Sequence, residues 1–257
     1  MNRHFLARAA LAALLIATPL HAQDMLHGVD LSQPAYSQSE MTRAEVEAAL
    51  DARNIDFSGK SLNGLDLSHL DLSGANFRAT RLNKVRLSGA KLDGAVLDQA
   101  WLMEADLTGA SLKGAQAFAA QMQRMNADGA DFSGARLAGD LTGASLRGAR
   151  FDHADLSADM KNQSMGLMRA VLRSAHLENA LLRKANLMSA DLRFTHAAGA
   201  DFSDANLANA DASGADFTGA IFAGANTKDL DLDSAQIDAA TEGALQKAQH
   251  LDRARRQ

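Results

Sequence analysis

The chain has 257 residues, 47% of them hydrophobic and 22% charged, with 26 Lys and Arg against 31 Asp and Glu for a net charge of −5. That length and apolar content predict a large folded core and exclude an intrinsically disordered chain. Cysteine is absent, which excludes disulfides, thiolate metal sites, a thiol nucleophile and a lipidated N-terminal cysteine, and aromatics are only 5%, so the core must be built from Leu, Ala and Phe.

Residues 1–22 read as a secretory signal. Arg3 and Arg8 give a positive end, Ala9 to Ala17 an apolar run, and Pro19 with Ala22 a small-residue exit before Gln23. The run is too short to span a bilayer as a mature helix. Cleavage after Ala22 removes two basic residues and no acidic ones, which makes the remaining chain more acidic by two. Residues 23–54 form an N-terminal segment ending in a helix. Thr42 with Glu45 three residues on is a capping box, and Val46, Ala49 and Leu50 make a narrow apolar face.

From Phe57 every fifth residue is Leu or Phe as far as Leu112, and the residue two before it is small or apolar almost throughout, as at Ala75, Ala90, Ala95, Ala100, Ala105 and Ala110. A five-residue period fits neither the 3.6 of a helix nor the 2 of a strand. In extended chain, residues two apart share a side, so each Ala-x-Leu buries its ends and wets its middle, where Asp66, Asp71, Asn76, Asp106 and Asp131 stand. Gly recurs two residues after the large one, at 59, 64, 74, 89, 94, 109, 114, 129, 134 and 139, where a corner turns the chain. Short sides and corners, repeated, wind the backbone into a coil that pairs with the next as parallel strands do.

The units "ADLTG", "ANFRA", "AKLDG", "ANLMS" and "ADFTG" resemble the A(D/N)Lxx unit of the pentapeptide-repeat family. The resemblance covers residues 55–239. It implies an all-β solenoid: a right-handed quadrilateral β-helix, four units making a coil of about twenty residues, about nine coils and a rod on the order of 45 Å long. Open coil ends expose unpaired edges, so short N-terminal and C-terminal capping helices are expected.

The beat slips around residues 138–168. Leu137 to Leu141 is a step of four, and Leu156 to Leu167 is eleven, one more than two units, so one residue lost and one gained restore the register. "SADMKNQSMGLM", residues 157–168, is expected to form a bulge or short loop. Residues 240–257 are predicted to be a helix running from Ala239 to Arg255, with Ala244, Leu245, Ala248 and Leu251 on one face and Arg253, Arg255 and Arg256 near its negative end. It serves as a cap or as the contact of a homodimer.

No G-x-S-x-G, H-E-x-x-H or G-x-G-x-x-G occurs. "GKS" at 59–61 lacks the Gly of a phosphate loop, because residue 54 is Asn. Asp229 to Asp233 begin like a calcium loop, but Ser234 and Ala240 stand where Gly and Glu are required. The chain therefore reads as a non-enzyme with no cofactor.

If residues twenty apart stack, Asn186, Asn206 and Asn226 form an amide ladder, and Asp191, Asp211 and Asp231 an acidic column. His176, His196 and Asp216 stack as a candidate site for a divalent metal, and Met168 with Met188, near Met160 and Met165, as one for Cu(I). Solvated surface is the competing reading for both.

Arg78, Arg81, Lys84, Arg86 and Lys91 lie between Phe77 and Leu92 with no acid, whereas residues 201–238 hold eight Asp against Lys228 alone. The rod is expected to be basic in front and acidic behind, which fits a mixed-charge protein partner or an envelope surface. Val96 and Trp101 take outward middle positions. They form either a contact patch or a surface covered by a loop from residues 23–41. The function expected is an exported, periplasmic or secreted, non-enzymatic scaffold that binds protein or serves structure. A metal-binding accessory protein using the His and Met columns is the alternative. A DNA mimic directed at topoisomerase, as the resemblance allows, ranks third, and no nucleic-acid partner is expected.

Overall fold

The computed structural model describes residues 30–159 and 168–256. The expected leader, and Met160 and Met165, lie outside the described residues.

From Asp56 on, the outward residue of each unit makes one parallel bridge to the outward residue of the next coil: Asp56 to Asn76, Ser61 to Arg81, Asp66 to Arg86, Asp71 to Lys91. Four such ladders continue up the chain, so four five-residue units close one coil and residues twenty apart lie side by side. The backbone explains this register. Leu72 N–H donates to the Lys91 carbonyl at 2.7 Å and Lys91 N–H returns to Leu70 at 2.9 Å, while Ala75 N–H donates to Leu72 at 3.1 Å and closes the corner. The corner residue is left-handed whether or not it is glycine, with φ +63° at Gly109 and +55° at Lys84.

The Ala and the large residue of each unit fill the inside. Ala105, Leu107, Ala110 and Leu112 are all buried, each leucine stabilising the coil by about 2 kcal/mol relative to an exposed one. Because the register repeats, like stacks on like: Phe57 on Phe77 at 5.3 Å between ring centroids, Phe132 on Phe151 at 4.9 Å, and Phe202 on Phe222 at 5.0 Å. Outside, Asn226 Nδ2 donates to Asn206 Oδ1 at 2.9 Å and Asn206 Nδ2 to Asn186 Oδ1 at 3.1 Å, the amide ladder expected of this register.

The slip has two parts. Gln121 bridges Asp140, nineteen residues on, so this coil is short by one. Gly139 absorbs the loss without a left-handed corner: a Cβ there would stand 2.5 Å from the Ala120 carbonyl oxygen. The next coil spans 31 residues, Asp140 to Val171 and Asp155 to Asn186. The bulge or short loop expected over residues 157–168 lies mostly outside the described residues. At its described edges Asp159 N–H donates to the Met168 carbonyl at 2.7 Å.

Two helices precede the first coil, α1 (Pro34–Ser37) and α2 (Arg43–Asp51). Thr42 N–H donates to Glu45 Oε2 at 2.7 Å and Glu45 N–H to Thr42 Oγ1 at 3.3 Å, which starts α2 with a capping box. Val46 is buried in the core, with Ala49 and Leu50 packed against it.

The long C-terminal helix expected from Ala239 to Arg255 does not form, and the homodimer contact assigned to it loses its element. In its place are β1 (Gln236–Ile237), α3 (Ala239–Glu242), 3-10 turns at Gly243–Leu245 and Leu251–Arg253, and β2 (Arg255–Arg256), parallel to β1. The last coil offers the segment bonds that a helix would forgo: Gln249 N–H donates to Leu230 at 2.8 Å, and Arg255 N–H to Ala235 at 2.7 Å. Gly243 adds a weak helix position at the break.

Candidate interaction surface

The basic front is not a free cationic patch. Arg86 lies 2.6 Å from Asp66, Arg78 3.2 Å from Asp98, Lys84 3.6 Å from Glu104, Lys91 3.7 Å from Asp71, and Arg81 3.1 Å from Glu40. Except for Glu40, each acid stands twenty residues away, so a reading along the chain sees bases without acids while the coil sets them side by side. Three of the eight Asp at the acidic back have a basic neighbour. Asp211 meets Arg193 at 3.4 Å, Asp231 meets His250 at 2.7 Å, and Asp233 meets Arg253 at 3.8 Å.

Asp191, 1% exposed, is approached by three guanidinium groups, those of Arg193 at 2.6 Å, Arg173 at 3.1 Å and Arg169 at 3.6 Å. Burial pushes its carboxyl up, but the hydrogen bonds and charge of Arg193, with the charge of Arg173, outweigh that and hold it below the ordinary value. A concavity of about 600 Å³ elsewhere on the rod is lined by His153, Lys184, Arg150 and Arg183. Both of its arginines are held by Asp152, at 2.9 and 2.8 Å.

His176 and His196 do stack, with ring centroids 4.7 Å apart and planes 11° from parallel. That geometry sends the ring-nitrogen lone pairs out side by side instead of toward one point, and His176 Nδ1 is 3.1 Å from Glu178. Asp216 is turned to Thr218, accepting from its N–H at 2.9 Å and its hydroxyl at 2.7 Å. Among the described residues no three His, Asp or Glu side chains are arranged to hold a metal ion. Met168 accepts from Asp159 N–H and Met188 from Ala158 N–H through their carbonyls.

The loop alternative for Trp101 is the one the structure takes. Residues 30–41 form a strap, and the Tyr36 ring lies on Trp101 with centroids 5.7 Å apart and planes 16° from parallel. Lower down, Ser39 makes an antiparallel bridge to Leu62, and Glu40 N–H donates to the Ser61 carbonyl at 2.8 Å. Ser61 Oγ donates to the Gln38 carbonyl at 2.5 Å, and Glu40 reaches Arg81. Val96 lies on the neighbouring ladder, bridged to Asn76 and Gln116, and takes no part in this stack. The strap's signal in the sequence is the run Ser61, Arg81, Trp101 at twenty-residue spacing, where the solenoid elsewhere prefers Asp or Asn.

Four parallel ladders, stacked inward Leu, Phe and Ala, and coil-to-coil pairing of outward residues define a tandem-repeat β-solenoid. The chain belongs to the pentapeptide-repeat family: the model for pentapeptide repeats matches it in eight copies over residues 49–79, 80–116, 140–158, 167–204 and 200–235. Among solved structures it is similar to HetL, a pentapeptide-repeat protein involved in heterocyst differentiation regulation from the cyanobacterium Nostoc sp. strain PCC 7120. Identity is 27% over 76% of this chain and 97% of HetL, with a TM-score of 0.28. It is also similar to a trypsin-treated form of QnrB1, a plasmid-mediated fluoroquinolone resistance protein, at 16% identity over 78% of this chain and 85% of that one, with a TM-score of 0.50. A comparison with curated proteins finds no match. Among the described residues no helix is long and apolar enough to cross a membrane.

Proposed function

We propose that the protein is an exported, non-enzymatic scaffold that binds a protein or envelope partner in the periplasm. In this reading the winding is right-handed and four-sided, with α2 and the C-terminal turns covering its ends. The observation that carries the reading is the pairing of charges between coils. It gives a stiff surface of mixed sign, suited to protein recognition through local shape and charge. Such pairing argues against a DNA mimic, which needs columns of unneutralised acid: the best candidate column begins at Asp191, which three arginines approach. The parallel imidazoles of His176 and His196 argue against the metal-binding alternative.

Cell fractionation with N-terminal sequencing tests the reading. The protein is expected in the periplasmic fraction, beginning at Gln23. Recovery from the cytoplasm with the first 22 residues intact would overturn it. In a gyrase supercoiling assay the purified protein is expected to leave the enzyme uninhibited.

A further inference from the structure

The strap sits on its face without filling it. In the strap Leu31 is buried, at 5% exposure, while Ser32, Gln33, Pro34, Ser37, Gln38 and Glu40 stand in solvent. Helix α1 is four residues long and has no side-chain cap. A cavity of about 240 Å³ remains between Pro34, Gln38, Ser39 and Glu40 on one side and Ser61 and Arg81 on the other. One polar atom on a residue lining this cavity is buried without a hydrogen-bond partner, Arg81 Nε. Such a donor has given up water without gaining a partner, which is unfavourable. A segment whose side chains stand mostly in solvent opens more easily than the coils beneath it, and one that leaves a buried donor idle is not the best complement of the surface below it.

We propose that the face carrying Ser61, Arg81 and Trp101 is a docking groove for a peptide segment of a partner protein, and that residues 30–41 are its built-in occupant, displaced when that segment binds. The strap states the chemistry the groove recognises. An aromatic ring stacks on Trp101 as Tyr36 does, a carboxylate four residues further on meets Arg81 as Glu40 does, and main chain between and beside them pairs antiparallel at Leu62. The cavity and the idle Arg81 Nε give a foreign segment room for a polar side chain that the strap lacks at that point. The backbone bonds that Ser39 and Glu40 make to this face select a peptide over a lipid surface or a small molecule. The proposal rests on the protein-binding reading above.

Trp101 and Tyr36 are the single Trp and the single Tyr of the chain, so fluorescence reports this contact directly. The probe is a synthetic peptide with the sequence of residues 30–41, DLSQPAYSQSEM, added to the full-length processed protein carrying Tyr36→Ala and Glu40→Ala, which loosen its own strap. We expect a saturable change in Trp101 emission at a peptide concentration about tenfold below that needed by the unsubstituted protein, and its loss when the peptide tyrosine is replaced by alanine. No saturable change in either protein, or equal affinity for both peptides, would overturn the proposal. A second measurement needs no variant: native-state hydrogen exchange of the unsubstituted protein. The Glu40 amide is expected to exchange about a hundredfold or more faster than the Leu107 amide, through local opening. Equal protection of the two would mean a permanent cover and would also overturn the proposal. Neither readout depends on export or on a native partner, so failure here removes the groove and leaves the scaffold reading to the fractionation experiment.

Discussion

Gly139 approaches Ala120 so closely that a Cβ on it would stand 2.5 Å from the Ala120 carbonyl oxygen and 3.1 Å from its nitrogen. The obstacle is backbone, which cannot swing aside as a flexible side chain could. This contact is how a nineteen-residue coil fits between neighbours of twenty or more.

Gly139→Ala is therefore expected to destabilise the protein by about 2–3 kcal/mol, as overpacking does in a core. Gly134 is a left-handed corner, φ +67°, with nothing within 4 Å of an added Cβ. Gly134→Ala is expected to cost about 1 kcal/mol, from backbone conformation alone. Urea denaturation of both variants checks the order, which reverses if the corner dihedral and not the close approach sets the cost.

Leu107 tests the core in the same way. It is buried between stacked coils, and Leu107→Ala is expected to cost about 3 kcal/mol, because neighbours hydrogen-bonded above and below cannot collapse into the cavity. The urea midpoint would barely move if Leu107 faced solvent.

Asp191→Asn is expected to cost about 3 kcal/mol at neutral pH, because it strips the countercharge from three guanidinium groups at a buried point. The pH dependence has a definite sign. The folded-state pKa of Asp191 lies below its ordinary value, so its stabilisation is fully present above about pH 4 and is lost as pH falls through the depressed folded-state value. The gap between the parent and Asp191→Asn urea midpoints should be widest at neutral pH and close in strong acid. A gap that widened in acid would reverse the sign and contradict this account.

Calorimetric titration with Zn²⁺ or Cu²⁺ is expected to reveal no tight site, since the His176 and His196 rings lie parallel and Asp216 is engaged by Thr218. A stoichiometric isotherm that disappears in His196→Ala would show that the rings rearrange around a metal.

The solenoid was legible because its physics is local. Five residues suffice to state a side and a corner, and Leu107 and Leu112 declare their burial by spacing alone. The loss of one residue at Gly139 was equally plain. What the sequence hid depends on contacts made across coils. Arg86 looks unpaired until the coil brings Asp66 beside it, and Asp191 looks like part of an acidic stripe until Arg169, Arg173 and Arg193 converge on it. Leu156 to Leu167 reads as two units and one extra residue, which marked an interruption but not that the bridged coil would span 31 residues. The C-terminal segment carries a helical pattern in Ala244, Leu245, Ala248 and Leu251, but Leu230 and Ala235 present open carbonyls on the last coil, and pairing with them prevailed. The strap was half legible: Trp101 in a position reserved for Asp or Asn asked for a cover, while nothing local to Tyr36 marked it as that cover.

The stacking register is the claim on which the ladders, ion pairs and groove all depend, and the coil of 31 residues is its sharpest consequence. The chain has no cysteine, so paired substitutions can be cross-linked without background. Ser145→Cys with His176→Cys places thiols on bridged residues of adjacent coils, within reach of a disulfide, whereas Ser145→Cys with Leu181→Cys places them on different ladders. Rapid oxidation of the first pair alone, with the circular dichroism spectrum preserved, is the predicted result; failure of the first pair, or equal oxidation of both, would contradict the register.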